Sequence, residues 1–378
     1  MARLLVTGGA GFIGANFVHY WLRHHPDDRV VVLDALTYAG CISSMESVRT
    51  RPALRFVHAD IRDSALVAGL MAQERIDTIV HFAAESHVDR SIQGPDAFIE
   101  ANVIGTHSLL KAARQVWLED RAVPCGRFHH VSTDEVYGSL DADEPAFHER
   151  TRYAPNSPYS ATKAASDHLV RAYHHTYGLP VTTSNCTNNY GPYQFPEKLI
   201  PLVILNILHG IELPVYGDGR NVRDWLHVSD HCRAIDLILE NGQVGEVYNV
   251  GGRSECENVE LVRLLCQLVD AEFERDSTLM ARYPRSPCAC RTDARSLIRF
   301  VADRPGHDRR YAIDCDKITR ELGYEPRVAF AEGLSATLTW YLQNEQWWRD
   351  LRANACQDRP RMIKLARTNL QGQQGGFS

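Results

Sequence analysis

Two acids stand side by side at Asp134-Glu135, directly after Thr133. Neighbouring carboxyls held in different environments can act as acid and base in one site, protonating a leaving group and removing a carbon-bound proton. Alone, the pair reads as well as a helix cap or a solvated pair. Downstream, Tyr159 and Lys163 follow Ser157-Pro158, a helix-start signal. Four apart on a helix, they share a face, so the ammonium favours the phenolate and lowers the tyrosine's pKa. Such a phenolate can take a hydroxyl proton while the carbon beneath it is oxidised. The third feature is Gly8-x-x-Gly11-x-x-Gly14, with Phe12 and Ile13 inside it. That spacing allows a tight turn that seats a pyrophosphate on the positive end of a helix. Asp34 follows at about the 20-residue interval of the acid that accepts ribose hydroxyls in dinucleotide folds. A carboxylate there repels a 2′-phosphate, so NAD is expected rather than NADP. Asp60-Ile61 is expected at the adenine, although Asp60 alone would also serve as a helix cap.

These residues need elements that deliver them to one edge. Residues 3–7, 30–34, 54–58, 78–82, 128–132 and 181–186 read as mostly apolar strands. Helices are expected between them at 12–25, 65–74, 97–117 and 158–177. Strands alternating with helices predict an α/β fold, a doubly wound parallel sheet with right-handed crossovers. Residues 1–190 then form a nucleotide-binding Rossmann domain, with returns from about 220–250. Residues 191–352 read mainly as a smaller, interleaved α/β substrate lobe. Residues 273–297 are expected to be an irregular surface insertion, and Leu334, Leu338, Tyr341 and Leu342 mark a packing helix. The Gly- and Gln-rich tail, 353–378, is expected to be disordered.

The chain has 378 residues, 44% hydrophobic and 23% charged, which excludes disordered and fibrous classes. A net charge of −6 argues against wrapping nucleic acid, yet permits a local basic pocket for phosphates. No apolar run reaches the ~18 residues of a membrane span. The first residues enter a glycine-rich strand at once, leaving no room for a signal peptide. Ten scattered cysteines form no CxxC pair. A cytoplasmic enzyme with no membrane or nucleic-acid partner is expected. The pairs His24-His25, His129-His130 and His174-His175 point apart on their elements, so no metal is expected. Trp347-Trp348 reads as a packing anchor.

Eight segments carry a family resemblance: TGGAGFIG (7–14), LDALTYAG (33–40), HFAAESHVDRSI (81–92), VSTDEVYG (131–138), YSATK (159–163), NNYGPYQFPEKLIPL (188–202), RDWLHVSDH (223–231) and ADRPGHDRRYAID (302–314). Together they resemble the extended short-chain dehydrogenase/reductases, and within them the nucleotide-sugar 4,6-dehydratases, from residue 3 to about 350. The Asp-Glu pair is the diagnostic part, because epimerases of the same fold lack it. A non-catalytic NAD sensor would have lost Tyr159, Lys163 or the acids. The resemblance implies dTDP-glucose as substrate, with UDP-glucose or UDP-N-acetylglucosamine as alternatives. It implies tightly held NAD, regenerated each turnover, and a 4-keto-6-deoxy product. Tyr159, Lys163 and Thr133 would serve the oxidation at C4, Glu135 would take the C5 proton, and Asp134 would protonate the departing 6-hydroxyl.

By the same resemblance Thr37, Ala83, Asn102 and Asn189 would contact the cofactor, and Lys163 its nicotinamide ribose. Ser86, Asn188, Lys198, Leu199, Arg223, Asn258, Asp303 and His307 would surround the sugar nucleotide. Arg223 and Lys198 suit a diphosphate, and Pro214 and Tyr216 would bed the base. A homodimer through the helices at 97–117 and 158–177 is implied as well. Two departures stand out. Asn258 and Asp303 lie further apart than the family pattern leads one to expect, and Ala35-Leu36 and Cys41 replace the usual Lys and Asn at the adenosine rim.

Overall fold

The computed structural model describes residues 1–124 and 126–353, so the tail expected to be disordered lies outside the described residues except for Ala353. Six strands, β1 (Arg3–Thr7), β2 (Arg29–Asp34), β3 (Leu54–His58), β4 (Thr78–His81), β5 (Arg127–Thr133) and β6 (Val181–Cys186), form in the first half. Between them lie α1 (Phe12–His24), α2 (Ser64–Glu74), α3 (Val88–Gln93), α4 (Asp96–Phe98), α5 (Gly105–Arg114) and α6 (Pro158–Tyr177). The expected helix at 97–117 is present as α4 and α5 joined through a π-helical turn at Ile99–Ile104, with a second at Gln115–Glu119. At the start of α6, Ser157 and Ser160 bond reciprocally in a capping box with Pro158 behind the cap. The second half adds β7 (Asn188–Tyr190), β8 (Leu213–Tyr216), β9 (Val222–His227), β10 (Val247–Val250), β11 (Glu255–Glu257) and β12 (Ile298–Val301). Its helices are α7 (Leu199–His209), α8 (Val228–Asn241), α9 (Asn258–Arg275), α10 (Thr278–Arg282), α11 (Asp316–Leu322) and α12 (Phe330–Gln343).

The main sheet runs β10-β6-β5-β4-β1-β2-β3, with every pairing parallel. Strand side chains alternate between its two covered faces. Leu5, Val31, Leu33, Ile79 and Phe128 pack on one face under α2, α5 and α6. Leu4, Val6, Val30, Val32 and Val80 pack on the other under α1 and α8. The strand order reverses between β1 and β4, and in open α/β sheets ligands bind in the crevice at that reversal. The expected doubly wound fold is the one observed.

A second core gathers α7, α9 and α12 around Ile200, Ile204, Leu261, Leu265, Leu334 and Tyr341. Trp348 anchors there, fully buried, with its indole N–H on the Tyr341 carbonyl. Residues 273–297 differ from the expected irregular surface insertion. They hold the end of α9, all of α10 and two 3₁₀ turns, and they bury Phe273, Leu279, Tyr283, Cys288 and Ala294 in this second core. The apolar positions are too widely spaced to show a period, and tertiary packing alone makes them core. Among the described residues no helix is long and apolar enough to cross a membrane.

Candidate active site

A cavity of about 500 Å³ opens at the ends of β1, β4 and β5. Gly8 takes φ +70° after β1, and an added Cβ there would meet the Ala83 backbone N at 2.6 Å. At Gly14 a Cβ would lie 2.2 Å from the Gly8 carbonyl oxygen, so only glycine lets α1 start against the turn. Gly11 caps α1 without a side-chain hydrogen bond, which leaves the first-turn N–H groups for a ligand. Asp34 accepts from the N–H of Ala10 at 2.9 Å and of Leu36 at 2.8 Å, so its carboxylate faces the cavity in one orientation. Burial pushes its pKa up, and those two N–H groups oppose the rise. Phe12, Ile13, Thr37, Asp60, Ile61, Ala83 and Asn189 line the same cavity. Asp60 pairs with Arg62 at 2.7 Å, and Asp63, not Asp60, caps α2. Asn102 lies behind the wall, bonded to the backbone of Glu85 and to the Thr162 hydroxyl. Thr187 Oγ1, Asn188 Oδ1 and Gln194 Oε1 are buried at the cavity with no partner among the described residues. A dinucleotide fits this set: a glycine cradle for its phosphates, a fixed carboxylate for its ribose and unpaired polar atoms further in.

The catalytic half grows from β5 and α6. β5 ends at Thr133, whose hydroxyl donates to Asp134 Oδ1 at 3.3 Å and accepts from the Glu135 N–H at 3.3 Å. α6 turns Tyr159 and Lys163 to the same place, and all five residues line the cavity. Lys163 is 4% exposed and donates from Nζ to the Val131 carbonyl at 2.9 Å. Tyr159 departs from expectation. Burial first, then the charge of Glu135, holds its pKa well above the usual value, and the nearby Thr133 hydroxyl opposes. In the chain by itself, burial and the acids outweigh the lysine.

The two acids separate. Burial drives the pKa of Asp134 well up, Glu135 and Asp224 add to it, and Arg223 opposes. Burial also raises Glu135, but Arg223, Arg304 and Lys198 all pull it back. Asp134, 1% exposed, is therefore the acid driven harder toward its protonated form, and Glu135 the one whose charge the surrounding cations favour. Asp134 Oδ2 is buried without a partner. It is free to meet a substrate oxygen.

Of the residues expected around the sugar nucleotide, Ser86, Thr133, Asn188 and Lys198 line this cavity. Lys198 donates to the Ser86 carbonyl at 2.9 Å. Arg223, on β9, donates to the Val222 and Asp308 carbonyls and lies 4.3 Å above the Tyr311 ring. Both cations lean on carbonyl oxygens rather than carboxylates, so their charge remains for an anion. Asn258 starts α9 with its Oδ1 buried and unpaired. Asp303 bonds His307 at 2.6 Å, and Tyr216 sits edge-on to that imidazole. Pro214 and Tyr216 are exposed on β8, and neither they nor Arg223, Asn258, Asp303 or His307 lines the main cavity. Leu199 packs against the second core. Sequence reasoning missed Tyr38, Glu85, Gln194 and Phe195, which also form the wall. All four stood inside matched segments, but none carried a signal of type or spacing that pointed to the cavity. Against the expectation for the histidine pairs, His25, Asp236 and Glu240 bring possible ligand atoms within 4.8 Å of one another. Asp236 is already engaged there by His25 and the Tyr20 hydroxyl.

Residues 5–337 match the family model described as GDP-mannose 4,6 dehydratase. A dTDP-glucose 4,6-dehydratase of Xanthomonas campestris pv. campestris (strain B100) is 56% identical over 349 residues, 92% of this chain and 95% of the relative. The crystal structure of DesIV, a dTDP-glucose 4,6-dehydratase from Streptomyces venezuelae with NAD and TYD bound, aligns with a TM-score of 0.82 at 51% identity, covering 92% of this chain and 99% of that one. A UDP-glucose 4-epimerase from Thermotoga maritima aligns with a TM-score of 0.76 at 26% identity, covering 90% and 99%. The epimerase shares the scaffold at half the identity. With the acid pair in place beside Tyr159 and Lys163, and relatives of that identity over nearly their whole length, this chain belongs to the dTDP-glucose 4,6-dehydratase family of extended short-chain dehydrogenase/reductases.

Proposed function

We propose that the chain converts dTDP-glucose to dTDP-4-keto-6-deoxyglucose and water, with NAD held in the cavity and regenerated each turnover. The observation that carries this reading is that Asp134 and Glu135 line one cavity with Tyr159 and Lys163, the first buried most deeply and the second under the charge of Arg223, Arg304 and Lys198. Gly8, Gly11, Gly14 and Asp34 would hold the cofactor's phosphates and ribose, and Lys163 its nicotinamide ribose. Bound NAD supplies a reversible two-electron acceptor, taking hydride from C4 of the sugar and returning it at C6. Tyr159 would take the 4-hydroxyl proton at its Oη as phenolate, the form that burial and Glu135 oppose in the chain by itself and that Lys163, together with the positive charge of the oxidised cofactor, would favour. The ketone at C4 acidifies the C5 proton, which the Glu135 carboxylate removes. Asp134 gives its proton to O6, and water leaves. Glu135 returns a proton to C5.

The balance leaves Tyr159 one proton richer and Asp134 one poorer. The Thr133 hydroxyl, 3.3 Å from Asp134 Oδ1 and lining the cavity with Tyr159, would pass it across. Lys198 and Arg223 would neutralise the diphosphate, since neither is paired with a carboxylate at hydrogen-bond distance.

The same reading assigns the chain to a homodimer through the 97–117 and 158–177 helices. Ile99 and Ile104 on the first and Tyr177 on the second are 46%, 45% and 43% exposed, a large apolar outlay for a free surface. It also places the reaction in the cytoplasm, with its nucleotide-linked substrate. Incubation of purified protein with dTDP-glucose and with UDP-glucose, followed by assay of the 4-keto sugar, tests the function and the nucleotide together. Product from dTDP-glucose at well above the UDP-glucose rate is expected. Equal rates would remove the nucleotide assignment, and no product from either would remove the function.

A further inference from the structure

The mechanism above leaves one buried carboxylate on the catalytic helix unused. Asp167 lies four residues after Lys163 and eight after Tyr159 on α6, so all three occupy one helical face. It is 6% exposed. Its oxygens reach across to β5, the strand that carries Thr133, Asp134 and Glu135. Oδ1 meets His130 Nε2 at 3.1 Å, and Oδ2 accepts from the Ser132 hydroxyl at 2.9 Å and the Tyr153 hydroxyl at 3.0 Å. His130 and Ser132 are alternate residues on β5 and share one of its faces. With Lys163 bonded to the Val131 carbonyl, three consecutive residues of β5 are tied to one turn of α6.

The charges explain why an acid stands there. A fully buried ammonium loses its proton unless something compensates. Around Lys163 the compensating charge is that of Asp167, from its own helix; the Cys186 thiol on β6, pushed up to about 12 by burial, stays neutral. His130 on β5 and His81 on β4 are held neutral by burial with Lys163 nearby, so neither competes for Asp167 as a cation. Asp167 itself faces Lys163, Ser132, Tyr153 and His168, and together they limit the rise of its carboxyl to about 6 against burial. The ammonium and the hydroxyl donors favour its ionised form.

We propose that Asp167 is a positioning residue for the redox step: the buried counter-charge that keeps Lys163 an ammonium and clamps the Tyr159–Lys163 face of α6 to the strand bearing the acid–base pair. It touches neither substrate nor cofactor and acts through Lys163. The inference rests on the proposed role of Lys163 beside Tyr159. Failure of wild-type protein to form keto sugar refutes that role, whereas active wild type with the results below reversed refutes Asp167 alone.

The test is Asp167→Asn, which preserves shape and removes the charge. The alkaline limb of kcat/KM, set by loss of the Lys163 proton, is expected to move toward neutrality by about one to three pH units. A limb that stays put, whatever the drop in rate, would overturn the proposal, because a structural defect lowers activity at every pH alike. The chain has five lysines, so protein carrying isotope-labelled lysine lets NMR read the Lys163 side chain directly. In wild type that signal should remain an ammonium through neutral pH, and in Asp167→Asn it should titrate at lower pH. A Lys163 already neutral in wild type at neutral pH would also overturn the proposal, with no variant needed. Asp167→Glu perturbs packing but keeps the anion, and its alkaline limb should match wild type. A limb displaced as far as that of the Asn variant would contradict the charge argument.

Discussion

Glu135→Gln should divide the reaction at its midpoint. The substitution keeps the size of the side chain and removes its charge, so the cavity and its contacts with Arg223, Arg304 and Lys198 lose only an electrostatic partner. Two consequences follow, in opposite directions. Without a base, removal of the C5 proton loses a contribution of about 100- to 10,000-fold, or ~3 to 5 kcal/mol of barrier. The oxidation at C4 should survive, because Glu135 is the leading charge that holds Tyr159 protonated. Its removal lets the phenol ionise at lower pH, so cofactor reduction on mixing with substrate should set in at lower pH than in wild type. The assay has two readouts: nicotinamide absorbance on rapid mixing across a pH series, and wash-in of solvent deuterium at C5. Reduction retained with its acid limb moved down, and wash-in lost, is the expected pair. Wash-in at the wild-type rate would refute Glu135 as the base. An acid limb unmoved would refute its hold on Tyr159.

Asp134→Asn should leave C5 exchange measurable while slowing water loss by about 100-fold or more; equal loss of both would assign Asp134 a binding role instead. Gly14→Ala places a methyl 2.2 Å from the Gly8 carbonyl oxygen, so the turn must shift. Expected are ~1–3 kcal/mol of lost stability and protein that purifies without NAD, read by thermal unfolding and by nucleotide released on denaturation. Asp34→Ser frees the Ala10 and Leu36 N–H groups and removes the charge that repels a 2′-phosphate. The ratio of NADP to NAD affinity should then rise by at least tenfold, and an unchanged ratio would separate Asp34 from cofactor choice. Stripping NAD should lower the unfolding temperature, with recovery that depends on added NAD concentration as mass action requires.

The residues of the candidate site were readable because each sits at a spacing that physics makes informative. Gly8, Gly11 and Gly14 are glycines because a Cβ at the first and last meets backbone. Tyr159 and Lys163 are a helical turn apart, and the mostly apolar strands marked a sheet covered on both faces. What sequence could not supply is what arises only from folding. Nothing in Asp134-Glu135 says which acid keeps its proton. That depends on Arg223, Arg304 and Lys198, brought in from far along the chain. The expected lowering of the Tyr159 pKa considered only its neighbour on α6, and burial beside two acids reverses it. Residues 273–297 looked like surface because Phe273, Leu279, Tyr283 and Cys288 follow no helical or strand period. Arg223 was legible as a cation but not as one braced over Tyr311 by the carbonyls of Val222 and the distant Asp308.

The central claim is that one bound cofactor takes hydride from C4 and the same turnover returns it to C6, with this chain's acid and base completing the elimination between. dTDP-glucose carrying deuterium at C4 tests it in one experiment. Mass spectrometry or NMR of the product should find the label at C6, with solvent hydrogen at C5. Product lacking the C4 label, or carrying it anywhere but C6, would contradict the account.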